Sequence, residues 1–124
     1  MSALFDTSIV LDYLRGVTPA DVAFARFPQR SITVVTWAEV MFVAPADSAV
    51  RTRHFLRHFE RLSINESIVD HALELQQQHP RLPLRYAIPW AAARHNSLTY
   101  VTADFPKLNI SDATLLVPYR ARRR

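Results

Sequence analysis

The 124-residue sequence contains no cysteine, so neither a disulfide framework nor a thiolate-bound metal centre is open to it. A cysteine-free chain fits a reducing compartment. No apolar run approaches the roughly 18 residues that a membrane-spanning helix requires. The N-terminus is acidic by Asp6 and has no basic stretch followed by an apolar segment, which excludes a secretory signal. Repeats, low-complexity tracts and linker-like segments are missing as well. Glycine occurs only at Gly16 and lysine only at Lys107. These absences leave the expectation of a soluble, cytoplasmic protein.

A chain of this length buries most of its apolar surface without help from metals or disulfides. The expected organisation is one domain over residues 1–119 and a basic tail over residues 120–124. The formal net charge is +4 and the sequence pI about 10.1, with nearly all of the base supplied by arginine. Guanidinium groups match phosphates bidentately, so this bias points to nucleic acid or an acidic protein partner. Arg120, Arg122, Arg123 and Arg124 crowd the end of the chain, a stretch suited to non-specific phosphate contacts.

Residues 3–5 read as a short buried strand, and residues 7–14 as a helix closed by Gly16 at its C′ position. Thr18 and Pro19 read as an N-cap and a first helical proline, opening a helix toward Phe24. The β-branched run over 31–35 has the pattern of a strand covered on both faces, and a helix over 36–43 follows. Val50, Phe55, Leu56 and Phe59 stand among arginines and histidines, predicting an amphipathic helix over 49–61 with a cationic face. A short strand is expected at 62–64. Asn65 caps a helix running to Gln78, with Ile68, Ala72 and Leu75 on its apolar side. Beyond Pro80 and Pro83 come a helix over 86–94, a strand over 98–102 and a last strand over 114–117. Alternating strands and helices with short links predict a parallel α/β sheet covered by helices on both faces.

Three acidic residues stand just beyond expected strands. Asp6 follows Leu4 and Phe5 and precedes Thr7 and Ser8, so its carboxylate lies where a strand end meets a helix start. Ligands bind at such places in open α/β sheets, although simple N-capping accounts for Asp6 equally well. Glu39 follows the 31–35 run, and Thr36-x-x-Glu39 forms a capping box that explains the residue without any catalysis. Asp104 comes two residues after Thr102, with Phe105 next to it, and a turn-forming Asp is the simpler account there. Singly, each motif is weak. Their order and common placement at strand ends make the set specific.

In that order the segments around Asp6, Glu39 and Thr102-Ala103-Asp104-Phe105 resemble the signatures of PIN domains, the nuclease fold of VapC-type toxins. The resemblance covers most of the chain. It implies a three-layer sandwich, with a central parallel sheet flanked by helices, and an endoribonuclease that cuts RNA. It also implies a site in which Asp6, Glu39 and Asp104 hold Mg²⁺ or Mn²⁺, with Ser8 and Thr102 lining it. Carboxylates are the oxygen donors that hard divalent ions take, and such an ion activates water and neutralises charge on a scissile phosphate. The implied partners are a VapB-like antitoxin, whose C-terminal segment lies across the acidic groove, and a second copy in a homodimer. No membrane is involved.

One position departs from the pattern. The family carries another acid near the start of the helix before the last signature strand, and counting back from Thr102 places Tyr86 there. A phenol with a pKa near 10 is a poor ligand at neutral pH, so the expected metal affinity and hydrolysis are both weakened. The alternative is a catalytically degenerate PIN domain that binds protein or RNA without cutting it. Pro89 lies in the same stretch, and an interior proline costs a helix about 3 kcal/mol. A helix that starts at Tyr86 would put Pro89 in the first turn and avoid that cost. Asp12 is expected to face solvent or pair with Arg15, and Trp37 and Trp90 to be core aromatics. His54 and His58 stand four apart without the third ligand that a zinc site needs.

Overall fold

The computed structural model describes residues 1–121, and its centre is the N-terminal strand β1 (Ser2–Phe5). This apolar stub pairs on one side with β2 (Gln29–Thr33) and on the other with β4 (Thr99–Val101). Strand β3 (Glu60–Leu62) lies outside β2, and β5 (Leu115–Leu116) outside β4. The order is β3-β2-β1-β4-β5 and every pairing is parallel. Parallel neighbours align the carboxyl ends of β1, β2 and β4 along one edge. Leu4 stands opposite Ser31 and Tyr100, which fixes that alignment.

Six helices cover the sheet: α1 (Thr7–Leu14), α2 (Thr18–Arg26), α3 (Val34–Val43), α4 (Ala49–Leu56), α5 (Glu66–Gln78) and α6 (Leu84–His95). Successive strand residues point to opposite faces, so Leu4 and Phe5 enter different cores. Phe5 packs with Ile9, Phe24, Phe27 and Phe59, its ring 4.6 Å from that of Phe24. Leu4 joins Ile68, Leu75, Trp90 and Tyr100 on the other face. The three-layer α/β sandwich expected from the sequence is therefore the observed fold.

Several local expectations are corrected. β2 stops at Thr33 rather than Val35, because the Thr33 hydroxyl accepts the Thr36 amide at 3.1 Å and starts α3 at Val34. This side-chain cap outweighs the β propensity of Val34 and Val35, which stand exposed. The 49–61 helix ends at Leu56, since Phe59 turns into the core and Glu60–Leu62 pair with β2. α2 takes Val17 as its N-cap, one residue before Thr18, leaving Pro19 within the first turn. Trp90 is a fully buried core residue, whereas Trp37 is only half-buried. Asp12 accepts a hydrogen bond from the Tyr119 hydroxyl at 2.8 Å, and no ion pair joins it to Arg15 among the described residues. The end of the described chain is tied down further, with the Ala121 amide donating to the Ala103 carbonyl at 2.8 Å and Arg120 donating to the Phe105 carbonyl. The proposed tail residues Arg122, Arg123 and Arg124 lie outside the described residues. Among the described residues, no helix is long and apolar enough to cross a membrane.

Tyr86 does not open α6. Pro83 is the N-cap, Leu84 the first helical residue, and Pro89 sits in the helix interior with no amide to offer the Arg85 carbonyl. The Pro83 carbonyl accepts both the Tyr86 and Ala87 amides, which secures the earlier start. Replacing Pro89 by alanine restores a donor, against a smaller loss from the more flexible unfolded chain. We expect Pro89→Ala to raise unfolding stability by about 1–2 kcal/mol, read from the urea midpoint at unchanged m-value.

Candidate functional site

The residues that follow β1 and β4 meet at the carboxyl edge of the sheet. The Asp6 amide donates to the Val101 carbonyl at 2.9 Å, continuing the ladder one step beyond the strands. The Thr102 hydroxyl then donates to Asp6 Oδ2 at 2.7 Å, and the Ser8 hydroxyl donates to the same oxygen at 3.2 Å. Backbone amides hold these hydroxyls in turn: Ala103 donates to Ser8 Oγ at 3.1 Å and Asp104 to Thr102 Oγ1 at 3.2 Å. Asp6 occupies the N-cap position of α1, yet its side chain makes no capping bond. Its carboxylate is committed to the neighbouring strand end.

Glu39 is not part of a capping box. The cap of α3 is Thr33, and Glu39 Oε1 instead accepts the Thr7 hydroxyl at 2.7 Å. Thr7 also meets the Thr36 hydroxyl at 2.9 Å, so the first turn of α1 is joined to α3 through three side chains. Thr7 and Thr36 were legible only as helix-start hydroxyls; nothing in their spacing reveals that they bridge two helices.

Asp6, Glu39 and Asp104 line a single cleft of about 340 Å³, together with Thr7, Thr36, Arg85 and Tyr86. They are gathered around it rather than clustered at one point. Among the described residues, no three His, Cys, Asp or Glu side chains stand close enough to hold one metal ion together. Ser8 lines the cleft itself as well as bonding Asp6, whereas the fully buried Thr102 reaches the cleft only through Asp6. Tyr86 is buried against Phe105, ring centroids 5.6 Å apart, and its hydroxyl donates to Asp104 Oδ2 at 3.2 Å. The Arg85 guanidinium lies 4.7 Å from the centroid of the same ring.

Burial pushes the Asp6 carboxyl above its usual range, and the negative charge of Glu39 adds to the shift. Hydrogen bonds from Thr102, the Thr7 amide and Ser8 act in the opposite direction without cancelling it. Burial and the nearby Asp104 carboxylate likewise raise the Tyr86 phenol, which stays a neutral donor at physiological pH. Tyr100 was missed from the sequence. Its hydroxyl is fully buried without a partner among the described residues, and burial and the charge of Asp6 push it well above the ordinary phenol value. A strand run reads as apolar whether or not one ring carries an oxygen.

The acidic cleft offers oxygen donors only, the type preferred by hard divalent cations. Magnesium is commonly bound by one or two carboxylates, with waters and phosphate completing its shell. A desolvated Asp6 favours a neighbouring cation by the same electrostatics that raise its pKa. The donor chemistry of the cleft, oxygen ligands beside a desolvated carboxylate, therefore fits a hard divalent ion.

A model of the PIN domain family matches residues 3–105. The chain belongs to the PIN domain family. This PIN domain is similar to a chain of a toxin–antitoxin complex from Klebsiella pneumoniae, at 32% identity over 96% of this chain and 99% of that one, with a TM-score of 0.85. The fold is also shared with VapBC-5 from Mycobacterium tuberculosis, at 20% identity over 97% and 98% of the two chains, with a TM-score of 0.62. VapBC2 from Rickettsia felis, solved bound to a DNA fragment from its promoter, shares it at 14% identity over 84% and 89%, with a TM-score of 0.65. No curated protein sequence matches the chain.

The raised Asp6 pKa carries a consequence for stability. Between 3.8 and the higher folded value, the native state binds the proton more tightly than the unfolded chain, so stability falls as pH rises through that window. The penalty is absent below the window and complete above it. Asp6→Asn keeps an acceptor for Thr102 and removes the charge. Thermal melts should show Asp6→Asn above the native protein at neutral pH, the difference shrinking as the pH is lowered toward 4.

Proposed function

We propose that this PIN domain is the toxin of a VapBC-type toxin–antitoxin pair and acts as a Mg²⁺- or Mn²⁺-dependent endoribonuclease of reduced activity. The observation that carries the reading is the common cleft of Asp6, Glu39 and Asp104 at the carboxyl edge of the sheet. The 32% identity to a chain of a toxin–antitoxin complex supports the toxin role. A divalent ion bound there supplies charge neutralisation at the scissile phosphate and activation of the attacking water. Asp6 and Asp104, from adjacent strand ends, are the leading ligands, and Glu39 approaches from α3. Ser8 and Thr102 orient Asp6 through its Oδ2. Arg85, exposed on the cleft wall, offers a guanidinium to the phosphate oxygens. The proposed partners are RNA, a VapB-like antitoxin laid across the cleft and a second copy of the chain, in the cytoplasm.

One observation favours a second reading, a degenerate PIN domain that binds RNA or protein without cutting. Tyr86 stands where the family carries an acid, and its hydroxyl engages Asp104. The two readings diverge on cleavage. In the first, the native protein cuts RNA slowly with Mn²⁺, EDTA stops it, and Asp6→Asn lowers the rate by about 100-fold or more. Tyr86→Asp then strengthens Mn²⁺ binding, measured by calorimetry, by about tenfold and raises cleavage with it. The same substitution removes the ring packed on Phe105, so a stability loss of about 2–4 kcal/mol accompanies the gain. A folded Tyr86→Asp protein with neither added affinity nor added cleavage would favour the binding module.

A further inference from the structure

A second cleft, of about 300 Å³, opens between α3, α4 and β3, and its chemistry is the reverse of the acidic one. Trp37, Leu56 and Phe59 form its apolar surface, and Arg53, Arg57 and Arg61 surround it. The Arg61 guanidinium lies 4.8 Å from the Trp37 ring centroid and that of Arg53 lies 5.3 Å from it. All three arginines are exposed, and among the described residues none is ion-paired, the one such pair being Arg94 with Asp112. The indole N–H of half-buried Trp37 donates to no described residue. One guanidinium suffices to cover an indole. Three un-neutralised cations at one place repel each other, and that repulsion turns into attraction only when a polyanion enters.

The cleft also lies where a substrate strand would pass. Trp37 follows Thr36, which lines the acidic cleft, and Glu39 is on the same helix. Arg61 pairs in register with Ile32, one step from the strand ends at Thr33 and Leu62. The two clefts are therefore linked through α3, where Thr36 and Glu39 of the acidic cleft stand on either side of Trp37 in the sequence. We propose that the Trp37 cleft is a flanking subsite for single-stranded RNA, in which Arg53, Arg57 and Arg61 hold backbone phosphates and Trp37 stacks a base. Stacking on aromatic faces with backbone contacts from arginine is the general chemistry of single-strand recognition. An acidic peptide would draw on the arginines alone, whereas a base can take the place of one of the two guanidiniums that lie over the indole.

The subsite rests on the ribonuclease reading for its ligand. Its test is therefore run in EDTA, where cleavage is silent, so that the two ideas fail separately. The full chain is titrated into a fluorescein-labelled single-stranded oligoribonucleotide of about 12 nucleotides, and anisotropy is followed at several KCl concentrations. For Arg53→Gln/Arg57→Gln/Arg61→Gln the affinity should drop about 30-fold or more, and the slope of log K against log salt should flatten by about 2. Arg57→Gln alone disturbs no ring contact, and should weaken binding and flatten the slope by about 0.7 with the fold intact. RNA should quench the tryptophan fluorescence of the native chain, and Trp37→Leu should abolish the quench, because Trp90 is fully buried. Arg81→Gln, outside the cleft, should change neither affinity nor slope. Unchanged affinity and slope in a folded triple variant would overturn the subsite. So would a triple variant that keeps RNA affinity but no longer binds labelled polyglutamate, a result that assigns the cleft to an acidic protein segment.

Discussion

The hydrogen bond from the Thr102 hydroxyl to Asp6, 2.7 Å across the ends of two neighbouring strands, is the contact on which the acidic cleft depends. It exists because β1 and β4 are parallel and in register, so their carboxyl ends arrive together. It also makes a buried carboxylate tolerable, since burial alone would drive Asp6 toward its neutral form. Ser8 and the amides of Ala103 and Asp104 extend the contact into a network that joins α1 to the segment after β4. Thr7, Thr36 and Glu39 form a second, smaller network that ties α1 to α3. The cleft is thus held in place by hydroxyl groups, with the carboxylates as their acceptors.

The layered α/β fold was legible because its signals are local and repeated: apolar strands, polar helix starts and short links. Its boundaries were less so. Val34 and Val35 favour a strand by composition, yet one hydroxyl on Thr33 moves them into a helix. Pro83 and Pro89 compete as helix starts, and only the acceptor role of the Pro83 carbonyl decides between them. The three acids could be found from the order of their motifs, and they do share a cleft. That they ring it without forming a three-carboxylate ligand group depends on side-chain directions that spacing does not encode. The role of Thr7 was hidden because its partners, Thr36 and Glu39, are remote in sequence, and the burial of the Tyr100 hydroxyl because a strand's apolar run does not register one ring oxygen.

Charge is segregated between two clefts linked through α3. The protein is basic overall, yet it keeps three of its acids at one cleft and three of its arginines at the next. Such a division does little for folding, where opposite charges interspersed would serve better. Under the proposed function, it suits a polyanion whose reacting phosphate is neutralised at one point while its flanks are held at another. Tyr86 lowers the charge at the first of these points, and Arg85 above its ring lowers it further.

The central strand precedes both of its sheet neighbours in the chain. Leu4 takes its place between Ser31 and Tyr100, so its second neighbour lies far along the chain from it. Contacts of that separation form late, because the loop they close must first be ordered. A nascent chain therefore carries Asp6 long before it has Thr102 to receive it, and the two halves of the cleft meet only after the last major strand has left the ribosome.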